Sequence, residues 1–458
     1  MKIRTRFAPS PTGYMHIGNL RTALYAYLIA KKENGEFILR IEDTDQTREV
    51  KGATDFILDI LDETGLHYDE GPYIQSQRLD LYHQYALKLI ELGGAHYCFC
   101  QNDFEHDPCT KLTSKQIQEK LNLGIPYVIR QTIPQTGTTS FDDEVYGHIE
   151  VNNNTLNESV LIKSDGYPTY NFANVIDDHL MNITHVIRGN EYLSSTPKYN
   201  LIYQAFGWDI PTYIHLPSVN KDETHKLSKR NSDASYMDLR KQGYLKDAII
   251  NYIALLGWSP DNQEIFTLEE LVNNFSIEHI SKSPSIFDIN KLKWMNGIYI
   301  RNMSFEEFHE LAKTHYQHIH KDIDFIELSK VLQQRIEKLN DIEEMTDFIN
   351  QTLPFDISLY THKKMKTNPT MSIDVLTIVY NQLIDFHNFD SDDKLSELFI
   401  SLAKENHMKN GQIMWPVRVA LTNKAFTPGG AVEIAHILGK DETLLRLQQA
   451  IKDLEEAL

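Results

Sequence analysis

The first 42 residues read as strand, turn, helix and strand, and the same order returns near residues 183–216. Residues 2–8 are short and extended, and Pro9-Ser10-Pro11-Thr12-Gly13 is turn chemistry. Residues 19–32 carry Leu20, Ala23, Leu24, Tyr27 and Leu28 at helical spacing, and residues 36–42 alternate as a strand. A second apolar strand at 183–188 is followed by a polar turn, a helix at about 196–206 and a strand at 212–216. Two such halves predict an α/β fold with a doubly wound parallel sheet, whose ligand loops share one edge. The segment between them, about 95–178, is rich in Thr, Asn and Asp and reads as strands and loops around one helix near 114–123. Beyond about residue 245 the alternation gives way to amphipathic helices, with apolar spacing of three and four at 247–256, 305–316, 329–339, 373–387 and 441–458. At roughly 150 residues per domain, 458 residues make about three domains.

Composition narrows the function. The 45 basic and 64 acidic residues leave a net charge of −19, which argues against a non-specific nucleic-acid binder, because such binding needs many cations to displace phosphate counterions. It leaves room for a local basic face. No apolar run reaches the roughly 18 residues of a membrane span, and the basic N-terminus MKIRTRFAPSPTG lacks an apolar stretch behind it. A cytoplasmic protein with no membrane partner is expected. Three cysteines, all within 98–109, exclude a disulfide framework and leave thiol or metal chemistry.

Two loops carry candidate phosphate chemistry. The segment Pro9–Asn19 enters the first helix, whose start offers free N–H groups, while Gly18 lets a base or phosphate approach the backbone and His16 adds a donor. Packing at a helix start would account for the same residues. The second is Lys226-Leu227-Ser228-Lys229-Arg230, where two lysines three apart can gather on a triphosphate; taken alone it reads as a solvated basic loop. The two gain meaning together, because a doubly wound sheet brings both to one edge.

RFAPSPTGYMHIGN, the strand ending Ile41-Glu42-Asp43-Thr44-Asp45, Gly71-Pro72-Tyr73, SDGYPTYNFAN at 164–174, His185-Val186-Ile187-Arg188-Gly189 and KLSKR resemble the bacterial glutamyl-tRNA synthetases, and the likeness spans essentially the whole chain. The resemblance implies a class I Rossmann-type catalytic domain (1–94 and 179–245) with an inserted α+β connective domain (95–178). All-helical stem-contact (246–325) and anticodon-binding (326–458) regions follow. It implies ATP with Mg²⁺, L-glutamate and tRNA-Glu as partners, a monomer, and a two-step reaction through glutamyl-adenylate. His16, Lys226 and Lys229 are the implied catalytic residues. ATP would be held by Pro9, Gly13, His16, Gly18, Asn19, Glu191, Lys226, Ser228, Lys229 and Arg230. Glutamate would be held by Arg6, Ala8, Ser10, Glu42, Tyr170, Asn174 and Arg188. Two carboxylates call for two guanidinium forks, and an ammonium for a carboxylate such as Glu42. Trp415, Arg418, Lys424 and Lys409 are candidate RNA contacts, core and solvated roles being equally compatible with each.

The chain departs from the family pattern in places. Cys98, Cys100 and Cys109 suggest Zn²⁺, but Lys111 stands where the family's fourth ligand would be. His106 or Glu105 would replace it, His106 being the expected ligand; three reduced thiols are the alternative. Asn190 stands before Glu191 where an acid is usual, and Tyr192 replaces a frequent Trp or His. Rival readings are glutamyl transfer to a modified tRNA base, a small-molecule nucleotidyltransferase of the same superfamily, and a catalytically silent RNA-binding module. The helical tail speaks against the first two and intact His16, Gly18, Lys226 and Lys229 against the third.

Overall fold

The computed structural model describes residues 2–13, 15–45, 47–48, 50–100, 107–223, 225, 227, 235–260 and 262–458. They form two compact units, one running to Arg240 and including Lys246–Ile289, the other made of Lys241–Leu245 and Asn290–Leu458.

In the first unit β1 (Arg4–Phe7), α1 (Ile17–Lys32), β2 (Glu36–Ile41), α2 (Ala53–Glu63) and β3 (Glu70–Ile74) give a parallel sheet in the order β1-β2-β3. Helix α3 (Leu79–Glu91) leads to β4 (Ala95–Cys98), which pairs with β5 (Val128–Gln131) and through it β8 (Val160–Ile162) in an antiparallel sheet. Between β4 and β5 lies α4 (Ser114–Asn122), started by a Thr113/Gln116 capping box. The insertion does not stay apart from the catalytic sheet. Its hairpin β6 (Thr138–Asp143) and β7 (Gly147–Asn152) joins β9 (His185–Gly189) and β10 (Thr212–Leu216) in the order β7-β6-β10-β9. The alternation of β6 explains this, since Thr139, Phe141 and Asp143 all point inward.

Helix α6 (Thr196–Phe206) packs on β6 of this second sheet, and α5 (Tyr170–Leu180) packs on α6 and β8. The two sheets meet where the Thr184 N–H donates to the Arg4 carbonyl at 2.9 Å and the Arg4 N–H to Thr184 Oγ1 at 2.8 Å. Strands therefore run β3-β2-β1-β9-β10, and the order reverses between β1 and β9, the place where doubly wound sheets open a ligand crevice.

After the short β11 (Val219–Asn220) and α7 (Tyr236–Lys241) come α8 (Lys246–Ala254) and α9 (Leu268–Asn274), which pack on α1. This is why α1 is apolar on most of its circumference, with Leu20, Leu24, Leu28 and Ile29 all buried. The Tyr25 hydroxyl donates to the Ala254 carbonyl at 2.9 Å and Arg21 Nη1 to that of Leu256 at 2.8 Å. Trp258, 2% exposed, packs on Phe275 and Phe266. These bonds place 246–289 with the first unit, so the compact boundary divides the expected stem-contact segment. The strand pair closes with β12 (Ser285–Ile286), parallel to β11.

The second unit is helical: α10 (Ile289–Asn302), α11 (Phe305–Lys313), α12 (Phe325–Gln333), α13 (Asp341–Thr346), α14 (Pro369–Ile384), α15 (Asp392–Glu405), α16 (Asn410–Thr422) and α17 (Ala431–Ala457). Helix α12 starts earlier than its apolar spacing predicts because Asp324 accepts from the N–H groups of Ile326 and Glu327, both at 2.9 Å. Likewise Asn368 caps α14 and Pro369 is its first residue, where a missing N–H costs nothing. Buried Arg446 in α17 donates to the carbonyls of Phe348, Ile349 and Leu421. Among the described residues no helix is long and apolar enough to cross a membrane.

Candidate active site

A cavity of about 490 Å³ opens at the crevice between β1 and β9, a volume typical of small-ligand sites. From the end of β1 and the turn beyond it come Arg6, Ala8, Pro9 and Ser10; from the start of α1 come His16, Gly18 and Asn19. Glu42 follows β2, Tyr170 begins α5, and Arg188 and Glu191 come from β9 and its loop. Of the described site residues expected from sequence, Gly13 and Asn174 do not line it. Gly13 has φ of +139° and marks the turn instead. Asn174 faces inward behind Tyr170, its Nδ2 donating to that residue's carbonyl at 2.7 Å. Lys226, Ser228, Lys229, Arg230 and His106 lie outside the described residues; Leu227, between two of them, does line the cavity.

The start of α1 is capped by His16, whose Nδ1 accepts the Gly18 N–H at 3.1 Å. In a neutral ring the proton is then on Nε2, which makes that atom a donor. The helix start and this donor suit an anion.

The floor of the cavity is a charge network that sequence reasoning missed. Arg40, fully buried, bonds Asp178 at 2.7 Å and Glu42 at 3.0 Å and lies 3.7 Å from Asp177. Arg6 donates through Nε to Asp178 at 3.0 Å and through Nη1 to the Ile187 carbonyl at 3.0 Å. Burial opposes ionisation of Asp178, yet Arg6 and Arg40 outweigh it and hold the carboxyl below its ordinary range. At Glu42 burial wins, pushing the carboxyl up to about 7 against the pull of Arg40 and Arg6. Nothing in the spacing of Arg40, Asp177 and Asp178 marks them as partners; they meet only when α5 comes to lie against the end of β2.

Arg188 is likewise clamped on one edge, Nη2 donating to Thr196 Oγ1 at 2.6 Å and Nε to His215 Nε2 at 3.1 Å. Each arginine thus keeps one outer nitrogen, Nη2 of Arg6 and Nη1 of Arg188, without a bond to any described residue. Tyr170 and Tyr192 pack at a tilt of 31° with ring centres 5.1 Å apart, and both line the cavity.

Residues 2–294 match the family of class I tRNA synthetases (E and Q), catalytic domain, and residues 307–451 match an anticodon binding domain. The glutamate–tRNA ligase of Clostridium acetobutylicum is 53% identical, the match covering 99% of each chain. That of Clostridium novyi is 54% identical over 100% of this chain and 99% of its own. A crystal structure of the glutamate tRNA ligase of Elizabethkingia meningosepticum in complex with its amino acid superposes with a TM-score of 0.89, at 33% identity, over 99% of this chain and 100% of that one. This chain belongs to the glutamate–tRNA ligase family. The sequence resemblance and the class I architecture with a helical anticodon-binding region are borne out.

The three cysteines gather in space with Asp107 beside them, while His106 lies outside the described residues. Ligand atoms of Cys98, Cys100, Cys109 and Asp107 all lie within 4.8 Å of one another. Cys100 Sγ is 3.5 Å from Cys109 Sγ and 3.5 Å from Asp107 Oδ1. A tetrahedral zinc with bonds of about 2.0–2.3 Å holds its ligand atoms roughly 3.3–3.8 Å apart, so the donor set fits the metal. Asp107 faces the thiols because it caps the turn Pro108–Lys111, accepting the Cys109 N–H at 2.8 Å. Its other oxygen meets His96 Nε2 at 3.2 Å. The Asp-Pro-Cys order was the legible signal for that cap.

Of the candidate RNA contacts in the helical unit, three have partners within it. Trp415 Nε1 donates to the Leu359 carbonyl, Arg418 lies 4.3 Å over the Trp415 ring and bonds Thr427, and Lys424 bonds Asp347 at 2.8 Å. Phe426, which sequence reasoning passed over, is 82% exposed just after α16.

Proposed function

We propose that this chain activates L-glutamate with ATP, taken as its Mg²⁺ complex, and transfers it to the 3′-terminal adenosine of tRNA-Glu. In the first step an oxygen of the glutamate α-carboxylate attacks the α-phosphorus of ATP and pyrophosphate departs. In the second the terminal 2′-hydroxyl attacks the acyl carbon, AMP leaves, and the hydroxyl proton passes to solvent or to the departing phosphate. Little covalent work falls to the protein, which positions the reactants and spreads charge.

The observation that carries this reading is the pairing of two half-clamped guanidiniums with one carboxylate in a single cavity. Arg6 and Arg188 offer donors for the two carboxylates of glutamate, and Glu42 an acceptor for its ammonium. His16 Nε2 and the N–H groups at the start of α1 would receive phosphate oxygens, with Lys226 and Lys229 of the KLSKR segment on the leaving pyrophosphate. A zinc ion held by Cys98, Cys100, Cys109 and Asp107 would brace the inserted domain; the His106 alternative lies outside the described residues. ATP-dependent charging of purified tRNA-Glu with labelled glutamate tests the assignment, and a folded protein that charges no tRNA overturns it.

A further inference from the structure

Three neighbouring strands place Asp143, His215 and Arg188 in a row. His215 on β10 is the register partner of Arg188 on β9, and Asp143 ends β6, which pairs with β10 on its other side. The side chains of His215 and Asp143 are both 0% exposed. Asp143 Oδ1 accepts the N–H groups of Val145 at 3.0 Å and Tyr146 at 2.8 Å, while Oδ2 accepts the His215 N–H at 3.1 Å and meets its Nδ1 at 2.6 Å. Surrounded by donors, the carboxylate draws the imidazole proton onto Nδ1 and leaves Nε2 bare. That bare nitrogen takes the Arg188 Nε–H at 3.1 Å. Thr196 acts in parallel: its Oγ1 accepts from Arg188 Nη2 at 2.6 Å, and its hydroxyl proton can go to the Tyr192 carbonyl at 2.9 Å or to the bare His215 Nε2 at 3.2 Å. The rings of Tyr192, Tyr199 and Tyr213 lie 5.3, 4.8 and 5.2 Å from the guanidinium carbon.

We propose that His215, with its tautomer set by Asp143, is a positioning residue for amino-acid selection: it turns the Arg188 fork so that Nη1 meets the side-chain carboxylate of glutamate. Asp143 belongs to the insertion, which thereby takes part in choosing the amino acid. The inference rests on the reading that Arg188 holds that carboxylate. It works only with a neutral imidazole, because a proton on Nε2 would set one cation's N–H against another's. The groups facing His215 are Asp143, Arg188, the Thr196 hydroxyl and, further off, Glu191, with Tyr213 and Phe141 as neighbouring rings. Burial, reinforced by Arg188, keeps its pKa below the ordinary 6.5 despite Asp143.

The test compares the KM for glutamate with the Ki for glutamine, using full-length protein with tRNA, from pH 5.5 to 8. Both amino acids share the ammonium and α-carboxylate, so their ratio isolates the side-chain end. The wild type is expected to lose discrimination only toward the acid end of this range, because His215 protonates below the ordinary imidazole value. His215→Gln keeps an acceptor near the Nε2 position and should discriminate nearly as well at pH 8, with no acid loss. His215→Leu should raise the glutamate KM about tenfold or more with kcat and the KM for ATP within about twofold. An unchanged KM and Ki in His215→Leu, or an acid loss that persists in His215→Gln, overturns the proposal; if the leucine variant does not fold, the glutamine variant's profile decides. Arg188→Lys separates the layers. If it leaves the glutamate KM unchanged, the underlying reading of Arg188 is wrong, whereas a raised KM there with none in His215→Leu removes only the positioning role.

Discussion

Replacing Glu42 with Gln tests the amino-acid end of the cavity on two axes. The network holds Arg6, Arg40 and, at its partly exposed rim, Arg78 against Glu42, Asp177 and Asp178, a balance of three and three. Glu42→Gln keeps the shape but leaves the cluster one positive charge in excess, beside the place where the substrate ammonium must sit. Losing a charge-assisted hydrogen bond costs roughly 1.5–3 kcal/mol, and about 1.4 kcal/mol is a factor of ten, so the KM for glutamate should rise about 10- to 150-fold. The KM for ATP should hardly move. The pH axis is independent: burial lifts the Glu42 carboxyl to about 7, so below that pH it is neutral and binds an ammonium poorly. Wild-type kcat/KM for glutamate should therefore climb as pH rises through about 7, and that step should vanish in Glu42→Gln. Initial rates of tRNA glutamylation between pH 6 and 8.5 read both quantities. A mutant KM within twofold of wild type, or a step that survives the substitution, refutes the role given to Glu42.

Arg188→Cys should lower kcat/KM for glutamate at least about tenfold and narrow the preference over glutamine, because a buried guanidinium facing an amide costs roughly 1.5–3 kcal/mol; unchanged values would shift the discrimination to Arg6. Lys229→Ala should slow glutamyl-adenylate formation by on the order of 10²–10³ with little loss of tRNA affinity, read in single-turnover assays. Elemental analysis of untagged protein should find one zinc per chain, lost or weakened in Asp107→Ala; retention in that variant with loss in His106→Ala would return the fourth position to His106.

The parts of this account legible in the sequence are those written in local order. Turn chemistry after residues 2–8 and helical spacing from Leu20 gave β1 and α1, and the ends of strands β2 and β9 gave Glu42 and Arg188, all of which lie at the cavity. What escaped depends on distant segments. Arg188 and His215 are 27 residues apart, and His215 and Asp143 are 72 apart; only the joining of β6 to β10 brings them together, and the insertion looked self-contained. Arg40 reads as one basic residue in an apolar strand until Asp177 and Asp178 arrive from α5. Helix starts slipped for a local reason: Asp324 and Asn368 bind backbone N–H groups ahead of the first regularly spaced apolar residue. Asn174, expected at the site from its motif, bonds the Tyr170 carbonyl one helical turn back and stands behind the cavity wall.

The most direct measurement of the central claim is the charging of purified tRNA-Glu and tRNA-Gln with labelled glutamate and with labelled glutamine, each with and without ATP. ATP-dependent attachment of glutamate to the 3′ end of tRNA-Glu is expected, with glutamine rejected on either tRNA. Attachment of glutamine in preference to glutamate, or label recovered on an internal base instead of the terminal adenosine, would contradict it.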